Sequence, residues 1–175
     1  MFNRKEKKHD YSILMVCMGN ICRSPTAEAV LKKKAQFSDL NVRIDSAGTL
    51  GLHKGNKPDP RSVQVGEQAG YSFKGIRSRP VEDSDFETFD LVLAMDQDNI
   101  RELLIRCPQE YKHKVKLLLS FANSDKANEF ESEVPDPYYG GGRGFELVLT
   151  LVEQGCNGLI TTLESSGIEA NTRQD

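Results

Sequence analysis

Tryptophan is absent from this 175-residue chain, aromatic residues make up only 7%, and cysteine and histidine number four and three. So few cysteines in so long a chain do not make a secreted disulfide framework. The spacings of Cys17, Cys22, Cys107 and Cys156 match no zinc pattern either. Purely apolar runs such as Ile13 to Met18 stop at six residues, far short of a membrane span, so membrane insertion is not expected. The first ten residues are basic and polar with no apolar stretch behind them; with no secretory signal visible, a cytoplasmic location is the expectation. A formal net charge of −3 lacks the basic excess of a dedicated nucleic-acid binder. Arg4, Lys5, Lys7 and Lys8 do cluster, but at a terminus and interrupted by Glu6. A Gly-rich loop ending in Gly-Lys-Ser/Thr is missing, which sets nucleotide hydrolysis aside. Asp96-Gln97-Asp98-Asn99 lacks the glycine and distal glutamate of a calcium loop. Neither a metal nor a cofactor is expected.

What is present is the composition of a soluble globular protein, with 38% hydrophobic and 28% charged residues. It suits a single domain over residues 11–165, with a flexible tail at 1–10 and a frayed end at 166–175. Ile13-Leu14-Met15-Val16 reads as a buried strand stopping at Gly19. A helix follows with Ser24 as cap and Pro25 at its first position. Val42-Arg43-Ile44 predicts a strand ending in a Ser46-Ala47-Gly48 turn, and Asp59-Pro60 opens a helix that stops near Gly70. Leu91 to Met95 is the clearest buried strand, with Asp96 capping the next helix up to Pro108. Val115 to Leu119 reads as a further strand, and Val148, Leu151, Val152, Leu159 and Leu163 mark a long final helix. Strands alternating with helices predict parallel pairing in a three-layer α/β domain. Ligands then bind beyond the carboxyl ends of the strands, at the loops after Val16 and Ile44.

The first of these loops, Cys17-Met18-Gly19-Asn20-Ile21-Cys22-Arg23-Ser24, joins a strand end to a helix start. A loop curling over a helix N-terminus turns backbone N–H groups inward, where the helix dipole also favours an anion. Gly19 and Asn20 tolerate the left-handed backbone that such a nest requires. Arg23 supplies a planar fork for two phosphate oxygens. Cys17 at the floor of this cradle is favoured as thiolate, in line to attack a phosphoryl group held above it. Ser24 either donates its hydroxyl to that thiolate or caps the helix. Met18, Gly19, Asn20, Ile21, Cys22 and Ser24 complete the phosphate-binding set. Cys22 is also a redox candidate, since a disulfide with Cys17 would shield the nucleophile.

Val16 through Glu28 resembles the signature loop of the low-molecular-weight protein tyrosine phosphatases. The likeness continues through Asp45-Ser46-Ala47-Gly48-Thr49, Pro58-Asp59-Pro60-Arg61, Phe89 to Asp96, and Pro135-Asp136-Pro137-Tyr138-Tyr139-Gly140. It spans the chain in order apart from about ten residues at each end. The resemblance implies a four-stranded parallel sheet flanked by helices and hydrolysis of phosphotyrosine without metal. It gives Asp136 the role of general acid and then base, a role the residues alone would leave as a turn. Tyr138 and Tyr139 would wall the pocket on one side. On the other side stands Leu52, where many members have tryptophan or tyrosine. Members with such an aliphatic wall often serve bacterial tyrosine kinases, so the implied partner is a phosphotyrosine-containing protein, with such a kinase as one case. Ile76 stands where relatives often place a histidine behind the loop; Ser46 remains to brace Asn20. His53 and His113 have no partner pattern. Thiol-dependent arsenate reduction, a rival on a related fold, needs further cysteines near residues 80–95, and none is there. A module that merely binds phosphorylated partners would need no acid beside its nucleophile.

Overall fold

The computed structural model describes residues 9–122, 132–138, 140–141 and 143–167. Most of both expected tails therefore lies outside the described residues. Strand β1 (Tyr11–Cys17) is the centre of the molecule, and the period of two along it explains the layering. Ile13, Met15 and Cys17 turn to one face and join a core with Val30, Leu31, Val152 and Leu159. Leu14 and Val16 turn to the other and pack with Phe86, Phe89, Val92 and Leu103. Burying a side chain of this size stabilises the fold by about 1.5–3 kcal/mol. Both faces of the strand are thus covered, which is why its sequence is a continuous apolar run.

All pairings are parallel, in the order β2-β1-β3-β4, with β2 (Val42–Gly48), β3 (Leu91–Ala94) and β4 (Val115–Leu117). Helices α1 (Arg23–Phe37), α2 (Pro60–Gln68) and α5 (Arg143–Ser165) pack together, α1 and α5 over the first core. The short α3 (Asp85–Thr88) and α4 (Gln97–Arg106) cover the second. This is the expected three-layer architecture. None of the helices among the described residues is long and apolar enough to cross a membrane.

The predicted caps of α2 and α4 hold. Asp59 accepts from the Arg61 N–H at 2.9 Å, and Asp96 forms a reciprocal capping box with Asn99. Three local expectations fail. Helix α1 begins at Arg23, two residues early, so Ser24 sits inside its first turn and caps nothing, and Pro25 is its third residue rather than its first. β2 runs on through Gly48 because Ser46, Ala47 and Gly48 pair with Met15, Val16 and Cys17. β4 ends at Leu117, where a 3-10 turn over Leu118–Phe121 takes over. That turn presses on α5 at Gly158, where any Cβ would lie 1.6 Å from the Phe121 carbonyl oxygen. Neither α3 nor the 3-10 turn Gln109–Lys114 was foreseen.

Candidate active site

The pocket lies at the loops after β1 and β2, as expected, and is completed by Asp136 and Tyr138 from the segment before α5; Asp96, after β3, reaches it only through Arg23. The segment between β1 and α1 is fixed by where its carbonyls go. Cys17 and Met18 accept from the N–H groups of Thr49 and Leu50 at 2.9 and 3.0 Å. Gly19 accepts from the Ser78 hydroxyl at 3.1 Å, and Ile21 from the Asp59 N–H at 2.8 Å. Cys22 accepts from the Thr26 hydroxyl at 2.8 Å. In a planar trans peptide the N–H of the next residue points opposite its neighbour's carbonyl. The N–H groups of Met18, Gly19, Asn20, Cys22 and Arg23 are therefore aimed to the other side, towards the inside of the loop. Asn20 N–H lies 3.3 Å from that sulfur, and Asn20 adopts the left-handed φ of +53° that closes the curve. Gly48 makes room for the loop: a Cβ there would stand 2.7 Å from the Met18 carbonyl oxygen.

Behind the loop runs a buried polar network. Asn20 donates from Nδ2 to Ser24 Oγ at 2.8 Å and to Ser46 Oγ at 3.0 Å, and accepts at Oδ1 from the Arg79 N–H at 3.0 Å. Ser46 donates to Glu28, whose other oxygen takes Lys32 Nζ at 2.5 Å. Arg79 is itself forked between Asp45 and Asp85, both at 2.9 Å. Ser24 Oγ lies 3.0 Å from Cys17 Sγ. Since Asn20 fills an acceptor site on Ser24, the Ser24 hydroxyl hydrogen is left for the Cys17 sulfur or for the Ala47 carbonyl, 3.5 Å away. Of the two roles open for Ser24, the geometry favours the donor over the cap. Ser46 braces Asn20 as expected. Ile76 is buried in the apolar core instead, so Glu28 and Arg79 supply the polar support at this place.

Arg23 is buried and reaches under the pocket mouth. One terminal nitrogen donates to Asp96 at 2.5 Å and to the Val134 carbonyl at 3.1 Å; the other lies 3.4 Å from Asp136. Burial by itself would lower the Arg23 pKa, but the Cys17 sulfur, Asp96 and Asp136 outweigh it and raise it. The cation is secure. Asp136 Oδ1 accepts from the Tyr138 N–H at 3.0 Å, and its side chain remains about 35% exposed. Arg61 anchors this segment to α2, with its guanidinium over the rings of Phe145 and Tyr138 at 4.6 and 5.6 Å. The Arg61 hydrogen bonds to Asp59 outweigh burial there and lower the Asp59 pKa. The Cys22 thiol is buried and pushed up to about 12, by desolvation first and then by Asp59.

The resulting pocket has a volume of ≈ 260 Å³, with Cys17, Arg23 and Asp136 all lining it and Leu52, His53 and Tyr138 at its mouth. Met18, Gly19, Ile21 and Cys22 complete the lining. Leu52 is 76% exposed, so it forms a rim rather than a packed wall. Tyr139, the second expected wall, lies outside the described residues. Sequence reasoning missed His53, Glu28, Arg79 and the second duty of Asp96. Only the neighbourhood of Leu52 could have signalled His53. Among the described residues no group of three or more His, Cys, Asp or Glu side chains converges as metal ligands would.

A cysteine in a tight loop at a helix start, with an arginine and an aspartate beside it, fits one class: enzymes that act on phosphoesters. Residues 12–169 match the family model described as low molecular weight phosphotyrosine protein phosphatase, and the chain belongs to that family. A Synechocystis relative is 44% identical over 154 residues, covering 86% of this chain and 95% of that protein. The protein tyrosine phosphatase of Entamoeba histolytica, solved with Hepes in its active site, superposes with a TM-score of 0.83 at 47% identity. That match covers 89% of this chain and 98% of the other. The YwlE arginine phosphatase was solved as a Cys-to-Ser variant with a phosphorylated active-site serine. It matches at a TM-score of 0.79 and 27% identity, over 90% of this chain and 99% of its own. The chain is thus a protein tyrosine phosphatase, a hydrolase acting on phosphotyrosine-containing proteins.

Proposed function

We propose that the reaction runs through a phosphocysteine on Cys17. The Cys17 sulfur attacks phosphorus, the bond from phosphorus to the tyrosyl oxygen breaks, and Asp136 gives its proton to that oxygen. Water then attacks the phosphocysteine, Asp136 takes up its proton, and inorganic phosphate leaves with the thiolate restored. The amides of Met18 to Ser24 and the Arg23 fork hold the three non-bridging oxygens throughout, matching the charge that spreads over them in the transition state. The observation that carries this reading is the convergence of Cys17, Arg23 and Asp136 on one small pocket. The phosphorylated serine in the YwlE variant supports a covalent step at the matching loop.

Cys22 serves in the same reading as a resolving thiol. A sulfenic acid on Cys17 would condense with it to a disulfide, releasing water. Tyr138 and Leu52 flank the incoming ring, and a single catalytic domain over residues 11–165 carries the activity. The site of action is the cytoplasm, on a phosphotyrosine-bearing protein, with a bacterial tyrosine kinase as one such partner. Steady-state turnover of matched peptides bearing phosphotyrosine, phosphoserine or phosphoarginine tests the substrate class. Phosphotyrosine should lead by at least about tenfold in kcat/KM, because the shorter serine side chain cannot bring its phosphate to the floor. Equal rates on serine, or a lead for arginine, would overturn it.

A further inference from the structure

Beside the phosphate loop lies a larger concavity that the reaction does not use. This groove, of ≈ 690 Å³, runs between α2 and residues 72–77, with Lys57, Pro58, Phe73, Lys74, Ile76 and Arg77 among its walls. Phe73 and Ile76 are buried, whereas Lys57, Lys74 and Arg77 are exposed. None of these three cations has an ion-pair partner among the described residues. Nearby Arg61 and Arg79 differ, being neutralised by Asp59 and by Asp45 with Asp85. Glu67 is the one carboxylate in the groove wall. Three cations against one anion form a positive concavity on a chain whose formal net charge is −3.

Two hydrogen bonds connect the groove walls to the phosphate loop: Asp59 N–H to the Ile21 carbonyl at 2.8 Å, and the Ser78 hydroxyl to the Gly19 carbonyl at 3.1 Å. Lys57 stands two residues from Asp59, and Arg77 adjoins Ser78. At 3.8 Å per Cα step, their backbones lie on the order of 10 Å from the loop. We propose that the groove docks an acidic stretch of the phosphoprotein substrate, and so selects among phosphotyrosine proteins. The inference rests on the phosphotyrosine reading of the adjoining pocket. An extended segment advances about 3.3 Å per residue, so carboxylates roughly three to six positions from the phosphotyrosine reach the three cations. Pro58, Phe73 and Ile76 receive the methylenes of their side chains. A membrane surface is flat, whereas these cations border a concavity, which favours a peptide segment.

The test compares matched phosphotyrosine peptides carrying Glu or Gln at about three to six positions on either side, with a small aryl phosphate as control. Single exposed ion pairs are weak, so three together set an expected gain of about 5- to 20-fold in kcat/KM for the acidic peptide, carried by KM. The gain should fall below about twofold in ~0.5 M salt, where charges are screened within a few ångströms. It should vanish in K57E/K74E/R77E and shrink in the milder K57Q/K74Q/R77Q, with aryl phosphate turnover unchanged in both. Equal kcat/KM for acidic and neutral peptides, with aryl phosphate turned over normally, would overturn the groove alone. A preference that survives charge reversal would do the same. So would binding to phosphatidylserine vesicles that needs these three residues while the peptides go undiscriminated. Failure of the aryl phosphate itself would instead strike the phosphatase reading beneath it.

Discussion

The loop around Cys17 and the segment around Asp136 meet in one pocket, yet they are held in opposite ways. Around Cys17 the side chains of Asn20, Ser24 and Ser46 behind the loop are buried and hydrogen-bonded. Asn20 spends both amide hydrogens and its carbonyl oxygen on Ser24, Ser46 and Arg79, and is 1% exposed. Asp136, by contrast, stands about a third in solvent, held by the Tyr138 N–H and a 3.4 Å contact with Arg23. The difference follows from what each group must do. Binding a phosphoryl group needs dipoles fixed beforehand in a dry cradle. A residue that gives up a proton and later accepts one from water needs access to both. Breaking either region should therefore leave a different signature.

The largest effect separates the two directly. Asp136→Asn should slow a phosphotyrosine peptide by about 10²–10⁴-fold, the usual contribution of general acid catalysis. The same variant should slow an activated aryl phosphate by much less, since its leaving group needs no proton. Stability should hardly change. Parallel steady-state assays and a denaturant melt check this, and equal losses on both substrates would deny Asp136 the acid role.

Asn20→Ala attacks the other region and should show the converse pattern. It leaves Ser24, Ser46 and the Arg79 amide short of a partner, which costs about 1–3 kcal/mol per buried group left unpaired. Denaturant unfolding should register that loss, while turnover of both substrates falls by a similar factor. A third, smaller effect lies in alkaline stability. The Cys22 thiol is pushed up to about 12 from an ordinary value of 9.0, so the folded chain keeps a proton that the unfolded chain loses. Stability is intact below about pH 9 and falls as pH rises towards 12, by less than ~1.4 kcal/mol per pH unit because the loop is partly solvated. Cys22→Ala should lessen that decline, to which the buried Cys156 thiol, also pushed up to about 12, still contributes, and Asp136→Asn should not, as thermal melts across this range would reveal. Smallest of all, Tyr138→Ala should raise KM for phosphotyrosine peptides by about 2- to 10-fold, the worth of one aromatic contact of ~0.5–1.5 kcal/mol. An unchanged KM would remove Tyr138 from the pocket wall.

The same contrast explains what could be read in the sequence. Strand β1, the loop and α1 are legible because apolar run, glycine, asparagine and arginine each have one local explanation, and all agree. Asp59 and Asp96 announce themselves as caps next to good helix starts. Asp136 is different: between two prolines it reads as a turn, and only resemblance to the family gives it chemistry. Residues with two duties were half seen. Ser24 looks like a cap because serine so often is one, but the helix starts two residues early and its hydroxyl faces sulfur. Glu28 and Lys32 look like an ordinary i,i+4 surface pair, while the second Glu28 oxygen faces Ser46 across the core. Ser46, Ala47 and Gly48 have turn composition, but pairing with β1 keeps them extended because small residues let the loop lie against them. Long-range contact of this kind leaves no local trace in a single sequence.

The central claim is that Cys17 carries the phosphoryl group between the two halves of the reaction. Rapid acid quench during turnover of a phosphotyrosine peptide, followed by mass spectrometry of the loop peptide, tests it most directly. One phosphate per chain on the Cys17 sulfur, formed in the first turnover and discharged by water, is the result the account requires. Full turnover with that sulfur never modified, or with undiminished rate after Cys17→Ala, would contradict it.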